Sequence, residues 1–91
     1  MAASRRPDKE GGSMEHNISL AALPEGEHAR VTELLAQNGM RRRLLDLGLT
    51  PGTQVECELK SPSGDPAAYR IRGALIALRR RDAALVLVTM Q

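Results

Sequence analysis

Aromatic side chains are nearly missing from the 91 residues: there is no Trp, no Phe and a single Tyr, Tyr69. That scarcity argues against the stacking platforms used for single-stranded nucleic acid and against the aromatic-lined grooves that grip PxxP ligands. A lone cysteine, Cys57, has no partner for an internal disulfide and offers too few thiols for a cysteine-based structural zinc site. It fits a reducing, cytosolic setting. No apolar run approaches the roughly 20 residues of a spanning helix, and the N-terminus lacks the apolar stretch of a secretory signal. Net charge is small as well, +2 from 13 Lys and Arg against 11 Asp and Glu, so the pI of about 9.2 overstates the basicity.

What the chain does contain is placed charge. Arg41, Arg42 and Arg43 form one run and Arg79, Arg80 and Arg81 another, while the acids are spread along the sequence. A local positive face follows from that placement. The length suits one small domain whose core is built from Leu, Ile, Val, Ala and Met.

Residues 1–13, MAASRRPDKEGGS, are polar, hold Pro7, Gly11 and Gly12 and show no hydrophobic period. Such a segment cannot offset its own ordering entropy and is expected to be a disordered leader or upstream extension. We place the domain at 18–91 and the leader at 1–17.

Leu20 and Leu23 precede a Pro24-Glu25-Gly26-Glu27 turn. HARVTEL then alternates, with Ala29 and Val31 on one side and Arg30 and Thr32 on the other, which predicts a strand. Asn38 is a candidate N-cap. Met40, Leu44 and Leu47 recur at i, i+4 and i+7, and Leu45 widens the stripe, predicting a helix over 39–47 with Gly48 ending it. Three arginines at its start oppose the helix dipole. Arg42 and Arg43 are spaced to pair with Asp46, at only about 0.2–0.5 kcal/mol each.

Pro51-Gly52 marks a turn. TQVECELK puts Val55, Cys57 and Leu59 on one face, SPSGDP is a dense turn cluster, and AAYRIRG points Tyr69 and Ile71 inward with Arg70 and Arg72 outward. Two strands in a hairpin follow. GALIALR and ALVLV are short β-prone runs joined by RRRD, where a single helical turn fits. About five short strands with one small helix describe a mainly β fold, a small SH3-like barrel.

The residues RRRLLDLGLTPGTQVE, GDPAAYRIRG and ALRRRDAALVLV resemble the FeoA family, ferrous iron transport protein A, over roughly residues 19–89. The resemblance implies an SH3-like fold, a cytoplasmic location and an accessory role to FeoB, a membrane transporter for ferrous iron with a cytosolic GTP-binding domain. It also carries a family-level association with transition metal ions. Recruitment to the inner face of the membrane by that partner is the corresponding expectation. A related domain closes iron-dependent repressors of the diphtheria toxin repressor family, so the alternative is a regulatory or nucleic-acid-associated role. Weak self-association through open strand edges is a third expectation.

Weighed singly, the motifs point away from chemistry. GLTPG lacks the Lys of a phosphate loop and lies between helix and strand in the wrong order, so it is a helix cap and turn. His16, His28 and Cys57 share no ligand spacing, and no dedicated metal site or cofactor is expected. No nucleophile, base and acid form a catalytic set, and Asp46, Asp65 and Asp82 suit caps and ion pairs, so an enzyme is not expected. For the arginine runs, a solvated face, an acidic partner surface and nucleic acid are all open readings. The docking surface on the transporter is assigned to Arg41, Arg42, Leu45, Leu49, Arg70 and Arg72, with Leu44 and Leu47 read as core.

Overall fold

The alternating segments pair as antiparallel strands in a computed structural model that describes residues 17–91. The elements are β1 (Asn17–Ser19), a 3-10 turn (Leu20–Ala22), β2 (His28–Leu34), α1 (Asn38–Asp46), β3 (Gln54–Lys60), β4 (Ala67–Ile71), β5 (Ala74–Leu78), α2 (Arg80–Ala83) and β6 (Val86–Met90). They form one sheet in the order β1-β6-β2-β3-β4-β5. Six strands thus stand where about five were expected. The additional one is β1, whose three residues pair with β6 from Asn17↔Thr89 to Ser19↔Leu87 and are too few to show a period of two. The leader expected over residues 1–13 lies outside the described residues.

Two bulges decide which side chains reach the core. In β2 the register against β6 shifts between Val31 and Glu33, so Ala29, Val31 and Leu34 all turn inward although strict alternation would bury position 33. In β3 the shift falls between Cys57 and Leu59 and has the opposite consequence. Leu59, expected beside Val55 and Cys57, is 59% exposed because the extra residue flips it to the outer face. The β3–β4 hairpin forms as expected, with Val55↔Ile71 and Cys57↔Tyr69 in register, and the RRRD junction is the single-turn α2.

Helix α1 also departs from its expected start. Gln37, not Asn38, occupies the N-cap, and Asn38 is the first helical residue with φ of +55°, a left-handed value that Asn tolerates better than most side chains. The end is a complete Schellman motif: Gly48 N–H donates to the Leu45 carbonyl at 2.9 Å and Leu49 N–H to the Leu44 carbonyl at 3.1 Å. Gly48 takes φ of +101°. The chain then turns so that Gly52 N–H donates to Val31 O at 2.7 Å and Val31 N–H to Thr53 O at 2.8 Å, which ties the corner to β2.

The inward residues make one apolar cluster that includes Leu20, Leu23, Val31, Leu44, Leu49, Val55, Tyr69, Ile71, Val86 and Val88. Tyr69 is its largest fully buried member and its hydroxyl donates to the Leu20 carbonyl at 3.3 Å. Leu44 belongs to this core, while Leu47 is half-buried against it. Cys57 is also fully buried, and burial pushes its thiol pKa above 9.0.

Candidate docking surfaces

Nine residues of α1 distribute three arginines over two sides of the molecule. Arg41 and Arg42 join Leu45, Asn38 and Asp46 around an open cleft of about 400 Å³. Both guanidinia are exposed and Leu45 is half-buried beneath them. This brings together three of the six residues assigned from sequence. No ion pair within 4.0 Å joins Asp46 to Arg42 or Arg43, because the only such pairs among the described residues are His28 with Glu56 and Arg70 with Glu58.

Leu49 must be reassigned. It is the residue two beyond the helix cap, its backbone closes the Schellman motif, and its side chain is fully buried with Leu44. The hydrophobic contact that accompanies this cap draws it inward, so Leu49 is core and not docking surface.

Arg70 and Arg72 stand apart from the α1 arginines, in a depression of about 320 Å³ with His28, Gln54, Val55, Glu56 and Gly73. Arg70 Nε donates to Glu58 Oε2 at 2.9 Å, which raises its pKa and orients the fork across β3 and β4. Arg72 has φ of +52° and lays its stem over the helix corner: a Cβ added to Gly48 would sit 3.0 Å from Arg72 Cδ. The arginine stem therefore covers the cap that ends α1.

Arg43 leaves its neighbours and faces the other way. It lines a cleft of about 470 Å³ with Met40, Ala77, Arg79, Arg81, Asp82 and Leu85. The two triple-arginine runs converge here, a juxtaposition that reading each run by itself does not reveal. Arg80, between the two converging residues, goes elsewhere: its backbone N–H donates to Asp65 Oδ1 at 2.8 Å, fastening α2 to the SPSGDP turn.

The outer face of β3, β4 and β5 exposes Leu59 and Leu75, at 59% and 56%, with Leu75 on the edge strand β5. Among the described residues no three His, Cys, Asp or Glu side chains converge as a metal ion would require. His28 Nε2 lies 3.4 Å from Glu56 Oε1, Cys57 is buried in the core, and His16 falls outside the described residues. No described helix is long and apolar enough to cross a membrane. The arrangement can bind through charge and apolar recesses.

The family model of the FeoA domain matches residues 18–90. The chain belongs to the FeoA family. It is 31% identical over 73 residues to a Fe(2+) transport protein A/Fe(2+) transporter FeoB fusion protein of Porphyromonas gingivalis, an alignment covering 80% of the chain and 9% of that relative. The chain therefore spans about a tenth of the fused protein's length. A solution structure of a FeoA-like protein from Clostridium acetobutylicum superposes with a TM-score of 0.76 at 32% identity, covering 82% of this chain and 87% of that one. The zinc-complexed crystal structure of Stenotrophomonas maltophilia FeoA, described as a prokaryotic SH3 domain protein, gives 0.70 at 31% identity, covering 78% and 88%. The six-stranded sheet with its short helix is thus the SH3-like fold of the FeoA family, as the sequence resemblance implied. Fold alone assigns no activity.

Proposed function

We propose that this chain is a non-enzymatic cytoplasmic accessory of ferrous iron uptake that docks on a FeoB-type transporter and biases its GTP-linked conformations. One observation carries the reading: a relative at 31% identity joins the equivalent domain to the transporter in one polypeptide. Fusion keeps two bodies at high effective concentration, an arrangement that benefits partners acting on one another. The exposed Arg41 and Arg42 over Leu45 supply a surface with an apolar floor and a charged rim, suited to a partner's acidic face. Arg70 and Arg72 offer a second, separate contact on the hairpin, where Arg70 is already paired with Glu58. Recruitment to the inner face of the membrane follows from the partner.

The structure argues physically against single-stranded nucleic acid as the partner. Tyr69, the sole aromatic residue, is 1% exposed and cannot stack on a base.

In cells that keep the transporter but lack this protein, ferrous iron accumulation is expected to slow. The intact chain restores it, and Arg41→Glu with Arg42→Glu does not. Undiminished uptake without the protein would remove the accessory role, whereas full restoration by the charge-reversed variant would remove the α1 arginines from the docking surface.

A further inference from the structure

From the convergence of Arg43, Arg79 and Arg81 over the apolar floor of Met40, Ala77 and Leu85, we infer a second recognition site, one that takes an acidic linear segment of a protein partner. The inference rests on the docking reading above and names a different surface for it. Three guanidinia from two separated parts of the chain share this recess with one carboxylate, Asp82, which is itself 8% exposed. Among the described residues none of the three arginines lies within 4.0 Å of a carboxylate. The site therefore presents a surplus of positive charge. Guanidinium forks match carboxylates bidentately, which favours Asp or Glu side chains as their partners.

The floor decides between kinds of anion. Met40 and Leu85 are half-buried and packed against the core, and with Ala77 on β5 they give the cleft an apolar part beside its charged one. An inorganic phosphate would pair with the arginines and leave that floor wet. A flat bilayer surface could not enter the recess, and a nucleic acid would find no exposed aromatic ring. A segment with an apolar side chain between two acidic ones fills both requirements, with the flexible Met40 adapting to its shape. The volume, about 470 Å³, accommodates such a side chain with its neighbours.

The rest of the surface supports this assignment. Arg80 is withdrawn to the Asp65 turn, so its neighbours Arg79 and Arg81 are separated by one fastened residue and stand on the same cleft. Fixing α2 in this way reduces the ordering cost of binding for the loop that carries both arginines.

The test uses the whole chain, labelled with 15N, and a capped peptide Ac-Gly-Glu-Leu-Glu-Gly-NH2 as the probe. Expected are saturable amide shifts at Met40, Arg43, Ala77 and Leu85, absent with the Gln-Leu-Gln peptide and weakened about tenfold by Arg79→Gln with Arg81→Gln. These replacements at exposed positions remove the guanidinium charge and keep a polar side chain, and an unchanged spectrum elsewhere verifies the fold. Equal shifts from the glutamine peptide, from inorganic phosphate, or stronger binding of an oligothymidine would overturn the assignment. The same double variant is then titrated into the cytosolic part of the transporter. If the wild type binds there and the variant binds equally well, the cleft is overturned while docking stands. If the wild type fails to bind, the docking reading falls by itself, and the peptide result judges the cleft alone.

Discussion

Gly48→Ala is expected to lower the unfolding free energy by about 2–3 kcal/mol, measured by urea unfolding. Two independent causes add. At φ of +101° any side chain meets backbone strain of about 1–2 kcal/mol. The added Cβ would also lie 3.0 Å from Arg72 Cδ and 3.2 Å from Ile71 Cγ2. Arg72 can move aside, but Ile71 is held in the core, so part of the conflict must be taken up by the helix corner. That corner carries Arg41, Arg42 and Leu45 on one side and Arg43 on the other, so weaker docking is expected to accompany the loss of stability. Gly39→Ala is the internal contrast: it lies in α1 with nothing within 4 Å of the new methyl, and a gain of about 0.5–1 kcal/mol is expected. A destabilised Gly39→Ala, or a neutral Gly48→Ala, would contradict the account of the corner.

Tyr69→Ala should have the larger effect, about 3–5 kcal/mol, because it empties the space of the largest fully buried side chain. In a domain of this size the total is only about 5–10 kcal/mol, so the variant is expected to be substantially unfolded at 37 °C. Tyr69→Phe isolates the hydroxyl. Its acceptor, the Leu20 carbonyl, also receives the Leu23 N–H at 3.1 Å and keeps a partner after the change, so the cost is only about 0.5–1 kcal/mol.

The phenol also makes stability depend on pH in a definite direction. Burial raises the Tyr69 pKa from 10.0 to about 12, and the nearby Cys57 adds to it. The folded state holds the proton more tightly than the unfolded chain, so this contribution is complete below pH 10 and is lost as the pH rises toward 12. Cys57 acts in the same direction from about pH 9 upward. Thermal unfolding should shift downward across this range, and Tyr69→Phe should blunt the part above pH 10. A wild type with a flat profile to pH 12 would mean that neither group is buried as described.

These residues also show where sequence reading works for this fold. HARVTEL and TQVECELK alternate over enough positions to announce strands, and Gly48 after a leucine-rich stripe announces the end of a helix. The bulges at Val31/Glu33 and Cys57/Leu59 were illegible because a bulge is a property of two strands, and neither carries a glycine or proline to mark it. Leu59 was misplaced for that reason. Leu49 was misassigned although its burial follows from the Schellman pairing with Leu44, a signal that Leu-Gly-Leu does carry. The convergence of Arg43 with Arg79 and Arg81 arises only when α1 packs beside the end of β5, which no local pattern encodes. Arg41, Arg42 and Leu45 fell together because one short helix holds all three.

The central claim is that this FeoA-family chain acts by docking on a FeoB-type transporter, and a binder shifts a conformational equilibrium only by its different affinity for the two states. The most direct measurement is calorimetric titration of the chain into the cytosolic part of that transporter, first with GDP and then with a non-hydrolysable GTP analogue. Saturable binding whose affinity differs between the two nucleotides is the expected result. Absence of binding in both states would contradict the account.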